Sequence, residues 1–194
     1  MENSTALILA YIGVVFMVGL AGIASAIGTS ICGQTAVGAM KKNSSAFGSY
    51  MILSALPGSQ GLYGFVCFFM VQGLLTAEIS MYQAAAVFGA GLLVGIVNLA
   101  AAIYQGKVCA NGIAAIGNGN DVMGKTLILA AFPELYAILG VAATFLLAGA
   151  IDPVKLAEAE AAEVAEAKTE VVAEAPAAEQ DAVEFEAAAQ EVTE

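Results

Sequence analysis

The sequence predicts an all-α membrane protein: four transmembrane helices arranged as two fused copies of one helical hairpin, followed by a separate acidic tail. Three observations predict it. Residues are 60% apolar and only 12% charged, with a positive mean hydropathy, which is membrane-protein and not soluble-domain composition. Four apolar runs are long enough to cross a bilayer. And Pro57-Gly58-Ser59-Gln60-Gly61-Leu62-Tyr63-Gly64 aligns without gaps, 76 residues on, with Pro133-Glu134-Leu135-Tyr136-Ala137-Ile138-Leu139-Gly140. Cys32 and Cys109 fall at nearly the same offset, so the halves read as parallel copies.

Charge divides the chain as hydropathy does. Residues 1–151 hold four acids (Glu2, Glu78, Asp121, Glu134) and four lysines (Lys41, Lys42, Lys107, Lys125), which cancel. The net charge of −11 therefore comes from residues 152–194. No Arg, His or Trp occurs, and without His the usual neutral-pH base and commonest metal ligand are missing. Cys32, Cys67 and Cys109 show no metal-ligand spacing and read as buried thiols acting as small hydrophobes.

The first apolar run extends from about Thr5 to Ile31. Ile23-Ala24-Ser25-Ala26 resembles a signal-peptide cleavage site, but the preceding region carries Glu2 and no basic residue, so the segment is expected to stay as a helix. Gly13, Gly19, Gly22, Gly28, Gly33 and Gly38 make it thin, which suits a helix packed against other helices. Lys41-Lys42-Asn43-Ser44-Ser45 breaks the pattern before a second run, about Phe47 to Leu75, which Leu56–Gly61 interrupts. A turn at Thr76-Ala77-Glu78 leads to the third run, about Ile79 to Tyr104, with Gly91 and Gly95 in a weak GxxxG packing signal. The Gly/Asn-rich stretch from Gln105 to Asp121 is expected to close the second loop, placing Gln105 at the cytoplasmic end of the third span. Residues 126–151 form the fourth run. The expected units are residues 1–76, 77–151 and 152–194, the last an Ala/Glu-rich and disordered tail. Lysines in or beside the 1–2 and 3–4 loops put those loops in the cytoplasm and both termini across the membrane.

Glu134 is the sole acid at membrane depth. A carboxylate there costs several kcal/mol unless protonated, paired or bound to a cation, which marks a functional site. The plainer reading is a neutral Glu joining helices by a hydrogen bond. On a helix, Leu56, Ser59, Gln60 and Tyr63 share one face, and Pro57 frees a carbonyl near residue 53. With Gln105 and Glu134 these groups offer several oxygens, one anionic, a set suited to a small hard cation. Bound Na⁺ or a proton would compensate the charge. Ser59 and Gln60 alone would be read as interhelical hydrogen bonders. Tyr63 reads as a donor that steadies the carboxylate, and Tyr104 and Tyr136 as interface or packing aromatics.

LPGSQGLYGF, YQGKVCANGI and FPELYAILG resemble, in order, segments of the proteolipid (rotor-ring) subunit of V-type ATPases, in particular sodium-translocating bacterial ones. The likeness covers about residues 5–151. It implies a homo-oligomeric ring in the V₀ sector of the cell membrane, turned past a stator subunit and coupled to the central stalk, carrying Na⁺ or, alternatively, H⁺. It also implies sodium ligands at Leu56 (backbone carbonyl), Ser59, Gln60, Gln105 and Glu134, with Tyr63 bonded to Glu134. Serine at position 59, often Thr in the family, keeps the hydroxyl. The acidic tail has no counterpart there. With no P-loop and no nucleophile–base pair, the chain is expected to be non-catalytic, with ATP chemistry in other subunits. No cofactor and no nucleic-acid partner are expected. The rival classes are a small repeat-built secondary transporter, although those usually use inverted repeats, and a purely structural bundle.

Overall fold

The computed structural model describes residues 2–157, and those up to Ile151 form one compact unit. Five α-helices make the four spans: α1 (Glu2–Met40), α2 (Phe47–Ala55), α3 (Ser59–Val71), α4 (Met81–Gly117) and α5 (Met123–Ala150). The second span is α2 and α3 in series, joined by a 3₁₀ turn at Leu56–Gly58. All four spans are long and apolar enough to cross a membrane, so this is a multi-pass membrane protein. The expected four-helix architecture is the one observed.

Two helices are longer than the apolar runs alone indicate. α1 continues past Ile31 to Met40, and α4 past Tyr104 to Gly117. At 37 residues α4 measures about 55 Å, well beyond the roughly 30 Å hydrocarbon core. The Gly/Asn-rich stretch after Gln105 is therefore helix, not loop, and only residues 118–122 form the connection, turning at Gly119 with φ +88°. Gln105 accordingly lies well inside α4, not at its end. Gly and Asn resemble turn chemistry in sequence, but here the small residues serve helix contact.

That contact organises the bundle. Gly13 backs onto Gly91, Gly28 onto Gly106, and Ala39 onto Gly117, each pair separated by 78 residues. A constant separation means that α1 and α4 run parallel and in register, as fused hairpin copies require. A Cβ at Gly28 would lie 2.5 Å from the Ala102 carbonyl oxygen and 2.6 Å from Pro57 Cβ, so the approach tolerates no side chain. Gly95 packs on Phe16 in the same way, giving the GxxxG spacing a physical role. Outside this inner pair, α3 packs on α1 through Gly61 and Gly64, and α5 packs on α4 through Thr126 against Gly112.

The ends are tied. Ser80 Oγ accepts from the Gln83 amide while Gln83 Oε1 accepts from the Ser80 amide, a capping box at the start of α4. Gln83 Nε2 then donates to the Ile151 carbonyl at the end of α5, 3.0 Å away. At the opposite end Lys42 Nζ donates to Asn118 Oδ1 (2.8 Å), bringing the 1–2 and 3–4 loops together. Cys32, Cys67 and Cys109 are free and buried. Tyr104 and Tyr136 are exposed and line an apolar outer groove with Ile96, Val97, Phe132 and Pro133. After Ile151, Asp152 Oδ1 accepts from the Val154 amide, starting a helical turn at Pro153. The disorder expected of the tail falls on residues 158–194, outside the described residues.

The α1–α4 seam predicts a contrast between two glycines. Gly28→Val should destabilise the detergent-solubilised protein by about 1–3 kcal/mol through overpacking. Gly19→Ala, with nothing within 4 Å of the added Cβ, should leave thermal stability unchanged or slightly raised. Melting curves of the two variants against the parent check this.

Candidate functional site

Two apolar clusters fill the bundle. Met17, Cys67, Val71, Val87 and Val94 belong to one, and Cys32, Tyr50, Leu53, Cys109 and Ile113 to the other. Between them lies a polar layer made by α3, α4 and α5.

Gln60 sits on the first turn of α3, fixed from below by the Leu56–Gly58 turn, and is fully buried. Gln105 is fully buried on α4. Glu134 follows Pro133 inside α5 and is half-buried. The hydrogen bonds run in one chain. Gln60 Nε2 donates to Gln105 Oε1 at 3.0 Å. Gln105 Nε2 donates to Glu134 Oε2 and to the Ala130 carbonyl, each at 2.9 Å. Tyr63 OH donates to Glu134 Oε1 at 2.6 Å, a length typical of a bond to an ionised carboxylate. Both carboxylate oxygens are thus held, and by neutral donors.

Because Gln105 spends its NH₂ group on the carboxylate and a carbonyl, its oxygen must accept, so Gln60 turns its own NH₂ toward it. Gln60 Oε1 is left buried without a partner. An unsatisfied buried acceptor costs about 1–3 kcal/mol, an expense a cation or a donor would remove. On the neighbouring residue, Ser59 Oγ donates to the Leu56 carbonyl at 3.0 Å and also lies within hydrogen-bonding reach of Tyr63 and Glu134. Leu56 O also accepts from the Ser59 amide, as the 3₁₀ turn requires. The structure therefore links Gln60, Gln105, Glu134 and Tyr63 in one hydrogen-bonded chain, with Ser59 beside Tyr63 and Glu134 and the Leu56 carbonyl under Ser59.

Sequence reading missed two groups here. The Ala130 carbonyl carries no side-chain signal. Ser25, read only as part of a stretch resembling a signal-peptide cleavage site, accepts from the Gly61 amide at 2.7 Å, and it belongs to α1, not to the helices that hold the carboxylate.

A membrane bundle of two parallel hairpins, with one carboxylate held among neutral oxygens and amides at the centre of one of them, defines a class of ion-handling proteolipid. Residues 12–71 and 88–147 each match the ATP synthase C-subunit family, and the chain belongs to that family. The two matches are displaced by 76 residues, the offset of the internal repeat. A subunit K of an A-type ATP synthase from Methanocaldococcus jannaschii is 36% identical over 141 residues, 73% of this chain and 62% of the archaeal one. A subunit K of a V-type sodium ATPase from Enterococcus hirae is 40% identical over 126 residues, 65% of this chain and 81% of the other. This chain thus spans somewhat less than two thirds of the archaeal relative's length.

The 2.6 Å bond predicts the behaviour of Tyr63→Phe. Bonds to charged groups contribute about 1.5–3 kcal/mol, and this one also shields an oxygen. The variant should react several-fold faster at Glu134 with a carbodiimide at fixed pH, measured by mass spectrometry of the modified peptide. An unchanged rate would mean that the contact does not restrain the carboxylate in the membrane.

Proposed function

We propose that this chain is the rotor-ring subunit of a membrane rotary ATPase, carrying one Na⁺ at Glu134. The single observation that carries the reading is the pairing of a clamped Glu134 carboxylate with the buried, unpartnered oxygen of Gln60. The donor set consists of Glu134, Gln60 Oε1, Ser59 Oγ, Gln105 Oε1 and the Leu56 carbonyl, all hard oxygens. Tyr63 holds Glu134 closed over the cargo. The sodium ATPase relative from Enterococcus hirae supports this choice of ion.

The mechanism follows from the cost of one charge. With its cation, Glu134 is neutral and turns through lipid; bare, it is several kcal/mol less favourable there. The ion leaves where a stator subunit supplies a polar channel and a compensating positive group. Opening requires the Tyr63 and Gln105 bonds to release the carboxylate. Moving one charge across 100 mV involves roughly 2.3 kcal/mol, supplied or harvested by a partner catalytic sector through a central stalk. The ATP chemistry belongs to those partners. In the first hairpin Gly58 stands where Glu134 stands in the second. One carboxylate for every four helices halves the ions carried per helix of the ring, a gearing that favours ATP-driven pumping. The 1–2 and 3–4 loops, joined through Lys42 and Asn118 and flanked by Lys41, Lys107 in α4 and Lys125 in α5, face the cytoplasm and the termini the other side. Residues 1–76 and 77–151 are the two hairpins of one subunit.

Carbodiimide attacks only the protonated carboxyl. Modification of the purified ring at Glu134 should rise as pH falls and be suppressed by NaCl but not by KCl. Modification indifferent to Na⁺ would make H⁺ the carried ion. Glu134→Gln should assemble as a ring yet lose ion-coupled turnover; retained transport would overturn the assignment.

A further inference from the structure

The two repeats contain the same proline and treat it differently. At Pro133 the helix continues as α through α5. At Pro57 it breaks into the 3₁₀ turn Leu56–Gly58 before α3 resumes. Proline alone therefore does not dictate the break.

Besides Gly58 and Gly61, which are Glu134 and Ala137 in the second copy, what differs nearby is α1. Ser25 Oγ lies 2.7 Å from the Gly61 amide nitrogen and accepts its proton. This takes the amide of the residue just after Gln60 out toward α1. The approach depends on Gly61, since a Cβ there would lie 3.2 Å from Ser25 Oγ. The wall continues on either side: Pro57 Cβ seats against Gly28, and Gly64 against Ala21 and the Met17 carbonyl. Thr29 Oγ1 donates to the Ser25 carbonyl at 2.7 Å, reinforcing the same turn of α1. In the second repeat Ala137 occupies the place of Gly61, and α4 offers Ala101 and Ala102 where α1 offers Ser25. The copy with the hydroxyl has the broken helix; the copy without it is continuous.

We propose that Ser25 is a positioning residue for the sodium site, an assignment that rests on the function proposed above. By holding the Gln60–Gly61 peptide unit, Ser25 keeps the turn in its 3₁₀ form. That form places the Leu56 carbonyl under both the Ser59 amide and hydroxyl, and fixes the backbone from which Gln60 projects its unpartnered oxygen. Ser25 does not touch the ion. It sets where three of the ligands stand, and so how well a cation of a given radius fits.

The test uses assembled rings of the full chain, reading the NaCl and LiCl concentrations that halve carbodiimide labelling of Glu134. In Ser25→Ala the sodium value should rise about tenfold and the ratio of lithium to sodium values should change, with the ring intact. Ser25→Thr, which keeps the hydroxyl, should stay within about twofold of the parent. Ser25→Cys, a weaker acceptor, should fall between and serves if Ser25→Ala does not assemble. A parental sodium value in Ser25→Ala, or in Ser25→Cys if that variant has to stand in, overturns the proposal. So does an equal loss of protection in Ser25→Thr and Ser25→Ala, which would trace the effect to packing. A parent ring that Na⁺ does not protect overturns the sodium reading itself, and this inference with it.

Discussion

A bare carboxylate inside an apolar bundle is unfavourable by several kcal/mol, and the arrangement around Glu134 answers that cost at each oxygen. Tyr63 from α3 holds one oxygen, and Gln105 from α4 holds the other. Hydrogen bonds from neutral donors stabilise the charge without cancelling it, and in the proposed function a mobile cation completes the compensation. The Gln60 amide is committed to Gln105 on the nitrogen side and uncommitted on the oxygen side. A site meant only for packing would gain by pairing that oxygen.

The bonds depend on a scaffold that puts three helices within reach of one another. Residue-by-residue glycine contacts between α1 and α4 bring the inner helices to backbone distance. Glycine and alanine pack there without rotamer freedom to lose, which suits a solvent where apolar side chains gain nothing by leaving lipid. α3 and α5 lie outside this pair and share the polar site with Gln105 of α4, their outer faces lined with large apolar residues such as Phe65, Phe69, Leu135 and Phe145. Duplication supplied two equivalent outer helices, and divergence left them unequal: one has Glu134 on a continuous helix, the other has Gly58 in a broken one. Tyr63 and Ser59 of the broken span reach the carboxylate of the other copy. Each half thus supplies part of a single site.

Much of this was legible in the sequence because it rests on pattern. Apolar run lengths marked the four spans, the 76-residue repeat marked the fusion, and the isolation of Glu134 marked the chemistry. Helix ends were less legible. Gly106, Gly112 and Gly117 belong to contact surface in α4, yet glycine spells a turn as readily as a seam, and only the facing residues on α1 and α5 decide between them. The depth of Gln105 was misread for that reason. Ser25 was invisible for another: a serine among alanines has no signal until the Gly61 amide 36 residues away is brought to it. The orientation of Gln60 likewise follows only from the whole hydrogen-bond chain.

The central claim is that each chain holds one cation, and that Glu134 holds it with oxygens from both hairpins. Equilibrium binding of radioactive Na⁺ to the purified ring, counted per chain, tests this most directly. The predicted result is one Na⁺ per chain, undisplaced by K⁺, displaced as pH falls, and absent in Glu134→Gln. Two ions per chain, or binding that survives Glu134→Gln, would contradict it.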